Sequence, residues 1–126
     1  MTAWTSDELT KVGMAEELEV ASLRADGTLR KSRTIWVVRA GDDLYVRSVR
    51  GRGSDWFHGV ETRHEGHIQA GGVDKDVTFV EVADAALNDQ IDAAYRAKYH
   101  RYAASIVDSC TTEEARAATL RLVPHE

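Results

Sequence analysis

Two runs of β-branched and aromatic residues flank a short polar turn near the middle of this 126-residue chain. The runs cover residues 33–40 and 44–50, and Gly41-Asp42-Asp43 separates them. This pattern is typical of a β-hairpin, because glycine and aspartate readily adopt the backbone conformations of a tight turn. A three-residue loop would set Ala40 opposite Leu44, and a loop shorter by one residue would change that register. Apolar residues then occupy both faces, so we expect the hairpin in the centre of a sheet.

Further strand and helix patterns lie on both sides of the hairpin. The strand patterns, with their period of two, cover residues 17–23, 67–70 and 77–82. Thr5 and Glu8 form a capping box for a first helix, and a short second helix is expected to start at Ser54 or Asp55. Residues 63–66 are polar and loop-like. Successive strands joined by tight turns favour a small barrel or sandwich.

The last third of the chain has a helical apolar period. It starts near Leu87 and continues to Cys110 with a break near His100. Residues 111–114 are expected to cap a further turn that runs through Ala118, and the chain closes on a strand at residues 120–123. We predict about five or six strands and about two or three helices. The length of the chain predicts a single domain over residues 1–126.

Positive charge is concentrated around the hairpin. Between residues 24 and 52, eight basic residues stand against three acidic ones, a local balance of +5 in a chain whose net charge is −5. Such segregation suits a localised anion site, and arginine is well shaped to bind phosphate oxygens. Gly51, Gly53 and Ser54 would let backbone N–H groups approach an anion. The alternative is that these arginines only solvate a surface and discourage edge-to-edge pairing of strands.

Several function classes are disfavoured by the composition. Cys110 is the single cysteine, so no intrachain disulfide can form, and we expect a reducing, cytoplasmic compartment. The N-terminal residues lack the basic and apolar regions of a signal peptide, and no apolar run is long enough to span a membrane. The acidic net charge makes nucleic acid an unlikely partner, although Arg50 and Arg52 lie close to Trp56 and Phe57.

Other chemistry-bearing residues have simpler explanations. His64 and His67 have the spacing of metal ligands, but no further cluster follows, so we predict no metal site. Cys110 lies on a helical stripe and is expected to be a small buried apolar residue rather than a nucleophile. Tyr95, Tyr99 and Tyr102 have helical spacing and are expected in a core or an interface.

The central stretch resembles a known fold family. Residues 28–34, the strand after them, Gly41-Asp42-Asp43, residues 44–48 and the basic glycine-rich segment ending at Trp56 are similar to the FMN-binding split barrel of pyridoxamine phosphate oxidases and deazaflavin-dependent nitroreductases. The whole chain looks like an uncharacterised bacterial family of that superfamily. The resemblance implies an α+β fold, a small antiparallel split β-barrel with flanking helices and a C-terminal helical segment.

The resemblance also implies a cofactor site and a homodimer with the cofactor at its interface. Arg47 and Ser48 match the position that holds a flavin phosphate, and Trp56 matches a tryptophan of the nitroreductase-like members. The expected cofactor is FMN or a deazaflavin coenzyme, and its expected binding residues are Arg33, Trp36, Arg47, Ser48, Arg50, Gly51, Arg52, Gly53, Ser54 and Trp56. Ile35 and Trp36 stand where the nitroreductase-like pattern has a proline, and Gly59 stands where it has an asparagine.

Two functions fit these residues. The first is an oxidoreductase that transfers hydride between a flavin or deazaflavin and an unknown small molecule, with the protein supplying binding and orientation. The second is a non-catalytic split-barrel module that binds a phosphorylated small molecule or serves only as a homodimeric scaffold. Whether the chain is an enzyme stays open at this point, and a bound chromophore would separate the two.

Overall fold

Seven antiparallel strands form a nearly closed barrel with flanking helices. The computed structural model describes residues 3–125, so Met1, Thr2 and Glu126, at the ends of the predicted domain, lie outside the described residues. The strands are β1 Leu18–Ser22, β2 Arg33–Ile35, β3 Val37–Ala40, β4 Asp43–Arg47, β5 Glu65–Ala70, β6 Val73–Glu81 and β7 Thr119–Pro124. The helices are α1 Ser6–Met14, α2 Asp55–Arg63, α3 Ala85–Lys98, α4 Ala104–Asp108 and α5 Glu113–Arg116, with one 3₁₀ turn at Gly51–Gly53. The α+β split-barrel prediction is thereby confirmed.

Trp36 is the point at which the barrel closes. The strand order is β2-β1-β5-β6-β7-β4-β3, so β2 and β3 are the two edges of the sheet. Only Trp36 separates them in sequence, which holds Ile35 and Val37 within about 7.6 Å of each other. The prediction of one continuous strand over residues 33–40 is therefore wrong, because the chain leaves one edge of the sheet and joins the other at Trp36.

The hairpin turn is one residue shorter than predicted. Ala40 pairs with Asp43 and Val37 pairs with Val46, which leaves a two-residue loop of Gly41 and Asp42. Gly41 has a φ of 63°, a left-handed conformation that glycine adopts without strain. The prediction that Ala40 faces Leu44 is thus wrong by one position, and β3 lies at a sheet edge while β4 is interior.

Both faces of the hairpin are buried, as its apolar pattern predicts. The barrel interior contains buried side chains of β1 and of β3 to β7, together with residues of α1 and α2, and the partly buried Ile35 of β2 packs against them. A second apolar cluster lies on the opposite face, where Val38 and Tyr45 pack against Ile91, Tyr95 and Tyr99 of the helical segment and its end. The C-terminal helices are therefore docked on the outer face of β3 and β4.

The helix boundaries follow local capping chemistry. Thr5 and Glu8 form the predicted capping box of α1, and the Thr112 side chain accepts a hydrogen bond from the backbone N–H of Ala115 at the start of α5. The prediction of a loop over residues 63–66 is wrong. α2 continues through Arg63, His64 ends it with a φ of 33°, and β5 begins at once. Across residues 3–125, no helix has both the length and the apolar character that crossing a membrane requires.

Gly59 lets α2 pack closely on β1. A Cβ atom at this position would lie 2.1 Å from Oγ of Ser22 and 2.8 Å from Nε of Arg30. Real Cβ atoms essentially never approach other atoms within 3.0 Å, so any larger residue must displace its neighbours. The glycine thus places the Ser22 hydroxyl and the Arg30 side chain against the helix.

We expect Gly59→Ala to lower the free energy of unfolding by about 1–3 kcal/mol, because overpacking forces neighbouring side chains from their rotamers. Urea unfolding of wild type and variant measures this difference. Gly53→Ala is the matched control, since a Cβ at Gly53 meets no atom within 4 Å. Equal effects of the two substitutions would contradict the close packing at Gly59.

A charged pairing stabilises the β5–β6 hairpin. His67 lies opposite Asp76, its Nδ1 is 2.8 Å from a carboxylate oxygen of Asp76, and its Nε2 contacts Asp74. Partial burial alone would lower the pKa of His67, but the hydrogen bonds to both carboxylates outweigh it, so the pKa is raised. Folding therefore favours the protonated imidazole.

This raised pKa predicts a pH-dependent contribution to stability. It is fully present below the unfolded-state pKa of about 6.5 and is lost as the pH rises through the higher folded-state pKa. Urea unfolding at about pH 5.5 and about pH 8.5 should show that His67→Gln destabilises the protein more at the lower pH. An equal decrease in the free energy of unfolding at both pH values would contradict the ion pairing of His67.

Candidate functional site

A cavity of about 670 Å³ lies where the Trp36 break, the end of β4 and the start of α2 meet the C-terminal helices. Its volume is within the range of small-molecule sites. Eight of the ten residues predicted to bind a cofactor line it: Arg33, Trp36, Arg47, Ser48, Arg50, Gly53, Ser54 and Trp56. Gly51 and Arg52 do not. The structure thus brings most of the predicted set into one place.

Arg47 is buried, and its guanidinium is fully occupied within the protein. Nε donates to Oγ1 of Thr119 at 2.9 Å, and Nη1 donates to the carbonyl of Cys110 at 2.8 Å and to the Asp92 carboxylate. Nη2 donates to the backbone and side-chain oxygens of Asn88 at 3.1 and 2.9 Å. A guanidinium has five N–H donors, and all five are used.

The bonding of Arg47 corrects its predicted role. Although the residue lines the cavity, it has no donor left for a phosphate group. Its bonds join the end of β4 to α3, to Cys110 after α4, and to β7. Arg47 therefore builds the wall of the cavity by fastening the C-terminal helices to the barrel.

Arg52 and Gly51 also have structural partners outside the cavity. Arg52 forms ion pairs with Glu61 at 2.9 Å and Glu81 at 2.8 Å, and it donates to the carbonyl of Ala117 at 2.9 Å. Gly51 is buried against the side chain of Glu114. The structure gives no support to a cofactor contact by either residue.

The charged side chains that remain at the cavity are Arg33, Arg50 and Asp55. Among residues 3–125, Arg50 has no side-chain hydrogen bond and no carboxylate within ion-pair distance, and it is exposed. In the described part of the chain, the one ion pair of Arg33 is a 3.8 Å contact with Asp55, and both side chains are largely exposed. These two arginines can therefore bind an anion without breaking a buried contact.

Ser48 and Ser54 fix the start of α2 at the cavity. Their hydroxyl oxygens are 2.7 Å apart, within hydrogen-bonding distance. Ser54 is the residue before α2, yet its hydroxyl does not cap the helix, because it is engaged with Ser48. The positive end of the nine-residue helix α2 consequently begins beside Arg50 and Arg33.

Two tryptophans supply the aromatic surface of the cavity. Trp36 stacks on Tyr99 with ring centroids 3.8 Å apart and an interplanar angle of 5°. Trp56 is 7% exposed and packs edge-on against Phe57 at 5.9 Å. Both rings are held by barrel and helix residues, so neither needs to move for a planar ligand to contact the wall that they form.

The opposite wall was not predicted from the sequence. It consists of Tyr95, Ile106, Ser109 and Cys110 from the helical segment. Burial raises the pKa of the Cys110 thiol and of the Tyr95 phenol, so both groups are protonated near neutral pH. The helical stripe that contains these residues is visible in the sequence, but nothing in it indicates that the stripe meets the hairpin.

The histidine pair does not form a site. His64 ends α2 and is exposed, whereas His67 on β5 contacts Asp74 and Asp76. Within the described part of the chain, no three residues of the metal-ligating types are grouped so that they could hold a metal ion.

We predict that Arg47→Met lowers the free energy of unfolding by about 3 kcal/mol or more, because the buried oxygens of Asn88 and Cys110 lose this donor and Asp92 loses one of its two arginine partners. Arg96→Met is the control. It removes an exposed pair with Asp108 at 2.9 Å and should cost less than about 1 kcal/mol. Denaturant unfolding compares the two variants. Losses of the same size would show that the buried network is not what holds the helices to the barrel.

The family comparison covers most of the chain. The model described as "Uncharacterized protein conserved in bacteria (DUF2255)" matches residues 8–122. A search of curated proteins finds no match.

Solved structures share the fold at low sequence identity. The heme storage protein HutZ of Vibrio cholerae is 15% identical with a TM-score of 0.69, and the match covers 96% of this chain and 90% of that one. A candidate pyridoxamine 5'-phosphate oxidase of Listeria innocua is 13% identical with a TM-score of 0.65, covering 94% and 90%. An F420-H2-dependent reductase is 15% identical with a TM-score of 0.60, covering 86% and 93%. These likenesses confirm the predicted split-barrel fold.

Proposed function

The chain belongs to the DUF2255 family, and from this premise we propose that it binds a planar, phosphate-bearing cofactor of the flavin type in the large cavity. FMN and a deazaflavin coenzyme are the two candidates. One observation carries the proposal. Arg50, which forms no ion pair within residues 3–125, the exposed Arg33 and two fixed tryptophans line the same cavity in a chain of net charge −5.

The scarcity of unpaired cations supports an anionic ligand. Most lysines and arginines of residues 3–125 form ion pairs with the abundant carboxylates, Arg52, Arg96, Arg101 and Arg116 among them. Arg50 keeps its charge unpaired at the cavity, and Arg33 has only the 3.8 Å contact with Asp55. An anion that reaches them gains charge-assisted hydrogen bonds without displacing a buried partner.

The remaining lining residues fit the rest of such a cofactor. Arg50, Arg33 and the start of α2 would hold the phosphate, with Ser54 beside them. Trp36 and Trp56 would pack against the ring system, which the aromatic walls keep from water. When bound, a flavin-type cofactor supplies hydride-transfer chemistry, and the protein contributes binding, orientation and exclusion of water.

Catalysis by side chains is not required by this proposal. The protonated Tyr95 and Cys110 in the wall can donate hydrogen bonds, but neither is available as a base near neutral pH. The redox activity that we propose is the transfer of hydride to a small molecule in the part of the cavity that the cofactor leaves open.

The test is an absorbance spectrum of the purified protein after incubation with FMN or with coenzyme F420 and removal of free ligand. We expect one chromophore to be retained. Arg50→Gln should lower the affinity for FMN by about tenfold, the effect of losing one charge-assisted contact. It should leave the affinity for riboflavin, which lacks the phosphate, nearly unchanged.

Arg96→Gln is the matched control, because it removes one exposed positive charge that is not among the cavity-lining residues. Retention of neither chromophore would overturn the proposed cofactor and leave a non-catalytic module as the better reading. An equal loss for riboflavin and FMN would show that Arg50 does not bind the phosphate.

A further inference from the structure

A second, smaller cavity of about 260 Å³ adjoins the first one. Arg33, Asp55 and Trp56 line both cavities, so the two are neighbours at the start of α2. The other residues of the second cavity are Arg24, Arg30, Lys31 and His58. Its four arginine and lysine side chains and one carboxylate give a formal charge of +3, and we call it the basic cavity.

Within residues 3–125, three of the four cations of the basic cavity form no ion pair, and the fourth, Arg33, has only the 3.8 Å contact with Asp55. The side-chain hydrogen bonds of Arg24 to described residues go to Oγ1 of Thr28 at 3.3 Å and to the carbonyl of Leu29 at 2.8 Å. Lys31 is exposed and, within residues 3–125, forms no ion pair or side-chain hydrogen bond. In a chain with 21 acidic residues and 16 basic ones, such a group of unpaired cations is an attractive site for an anion.

Arg30 has a buried donor that the described residues leave unsatisfied. Its backbone N–H donates to the carbonyl of Ser22 at 2.9 Å, which anchors the loop between β1 and β2. Its Nε is buried without a hydrogen-bond partner in residues 3–125, and close packing at Gly59 holds it there. The packing of Nε fixes the direction of the Arg30 guanidinium, whose other N–H groups have no hydrogen-bond partner in residues 3–125 and can donate to an anion in the basic cavity.

From these observations we infer that the basic cavity is a second anion subsite. It takes a phosphate or carboxylate group on the tail of a ligand whose ring lies in the large cavity. The part of this inference that concerns the ring rests on the proposed function. The Asp55 carboxylate lies between the cavities and repels an anion at the junction, so one anionic group is expected on each side of it.

The ligand class follows from this arrangement. FMN has one phosphate and would use the large cavity alone. A coenzyme with a second anionic group beyond the first phosphate would use both cavities. Coenzyme F420, with a carboxylate-bearing tail, and FAD, with a second phosphate, represent the two chemical sources of that group.

The test compares these ligands on a variant of the basic cavity. Arg30→Gln with Lys31→Gln should lower the affinity for F420 or for FAD by tenfold or more, and should change the affinity for FMN by less than about twofold. A lower affinity for F420 alone would show that the subsite binds carboxylates, and a lower affinity for FAD alone would show that it binds phosphates. Lys11→Gln with Arg96→Gln removes the same charge from exposed ion pairs elsewhere and should leave all three affinities unchanged.

Two further binding measurements test the inference if none of the ring-containing coenzymes binds or if the double variant misfolds. Tripolyphosphate and tetraglutamate, which have no ring, should change the tryptophan fluorescence of the wild type, with a loss of affinity in the double variant. Lys31→Gln alone alters an exposed side chain and should lower the affinity for the responsive tail ligand by about threefold.

The outcomes separate the two proposals. Equal affinity losses for FMN and for both longer coenzymes, or no loss for any of them, would overturn the second subsite while leaving the proposed function intact. Binding of tripolyphosphate or tetraglutamate without retention of any chromophore would support the subsite and overturn the flavin-type cofactor. The subsite does not exist if the double variant binds tripolyphosphate, tetraglutamate, F420 and FAD as tightly as the wild type does.

Discussion

The buried guanidinium of Arg47 is the interaction on which the cavity depends. β3 and β4 present an apolar outer face, and burial of that face brings the C-terminal helices to the barrel. Apolar packing alone does not specify their position. The five hydrogen bonds of Arg47 to Thr119, Asn88, Asp92 and Cys110 do so, because directional bonds to buried groups tolerate little displacement. Tyr99 and Lys98 add hydrogen bonds to the backbone of Val37 at the end of α3, and the Arg47 network holds the part of the wall that contains Cys110.

The positive charges of the central stretch divide into two groups with different consequences. The guanidinium groups of Arg47 and Arg52 form ion pairs with carboxylates and hydrogen bonds with backbone carbonyls, so these two residues stabilise the fold. In the described residues, Arg50, Arg24, Arg30 and Lys31 form no ion pair with a carboxylate, and Arg33 has only a 3.8 Å contact with Asp55. These cations line the two cavities at the start of α2. A count of charges along the sequence cannot separate these groups, since the carboxylates that pair with Arg47 and Arg52 lie 9 to 45 positions away.

Local chemistry made much of the fold predictable. The Thr5 capping box, the change to a helical period near Leu87 and the turn at Gly41 each depend on neighbouring residues. The hairpin register was wrong by one because Asp43 is compatible with either a turn or a strand, and cross-strand packing decides between them. The role of Arg47 and the wall at Tyr95 depend on tertiary contacts, which a single sequence does not reveal. The cluster of candidate ligand-binding residues was predictable because most of it lies within one segment, between Arg33 and Trp56.

The most direct test of this division is to observe the arginine Nε–H and tryptophan Nε1–H resonances of ¹⁵N-labelled protein during a titration with FMN. We expect the resonances of Arg50, Arg33, Trp36 and Trp56 to shift in parallel with saturation. The Nε–H resonance of Arg47 should keep its position, because this group remains bonded to Thr119. A shift of Arg47 as large as that of Arg50 would show that Arg47 binds the anion. That result, or the absence of any response from Arg50, would contradict the assignment of structural and ligand-binding arginines.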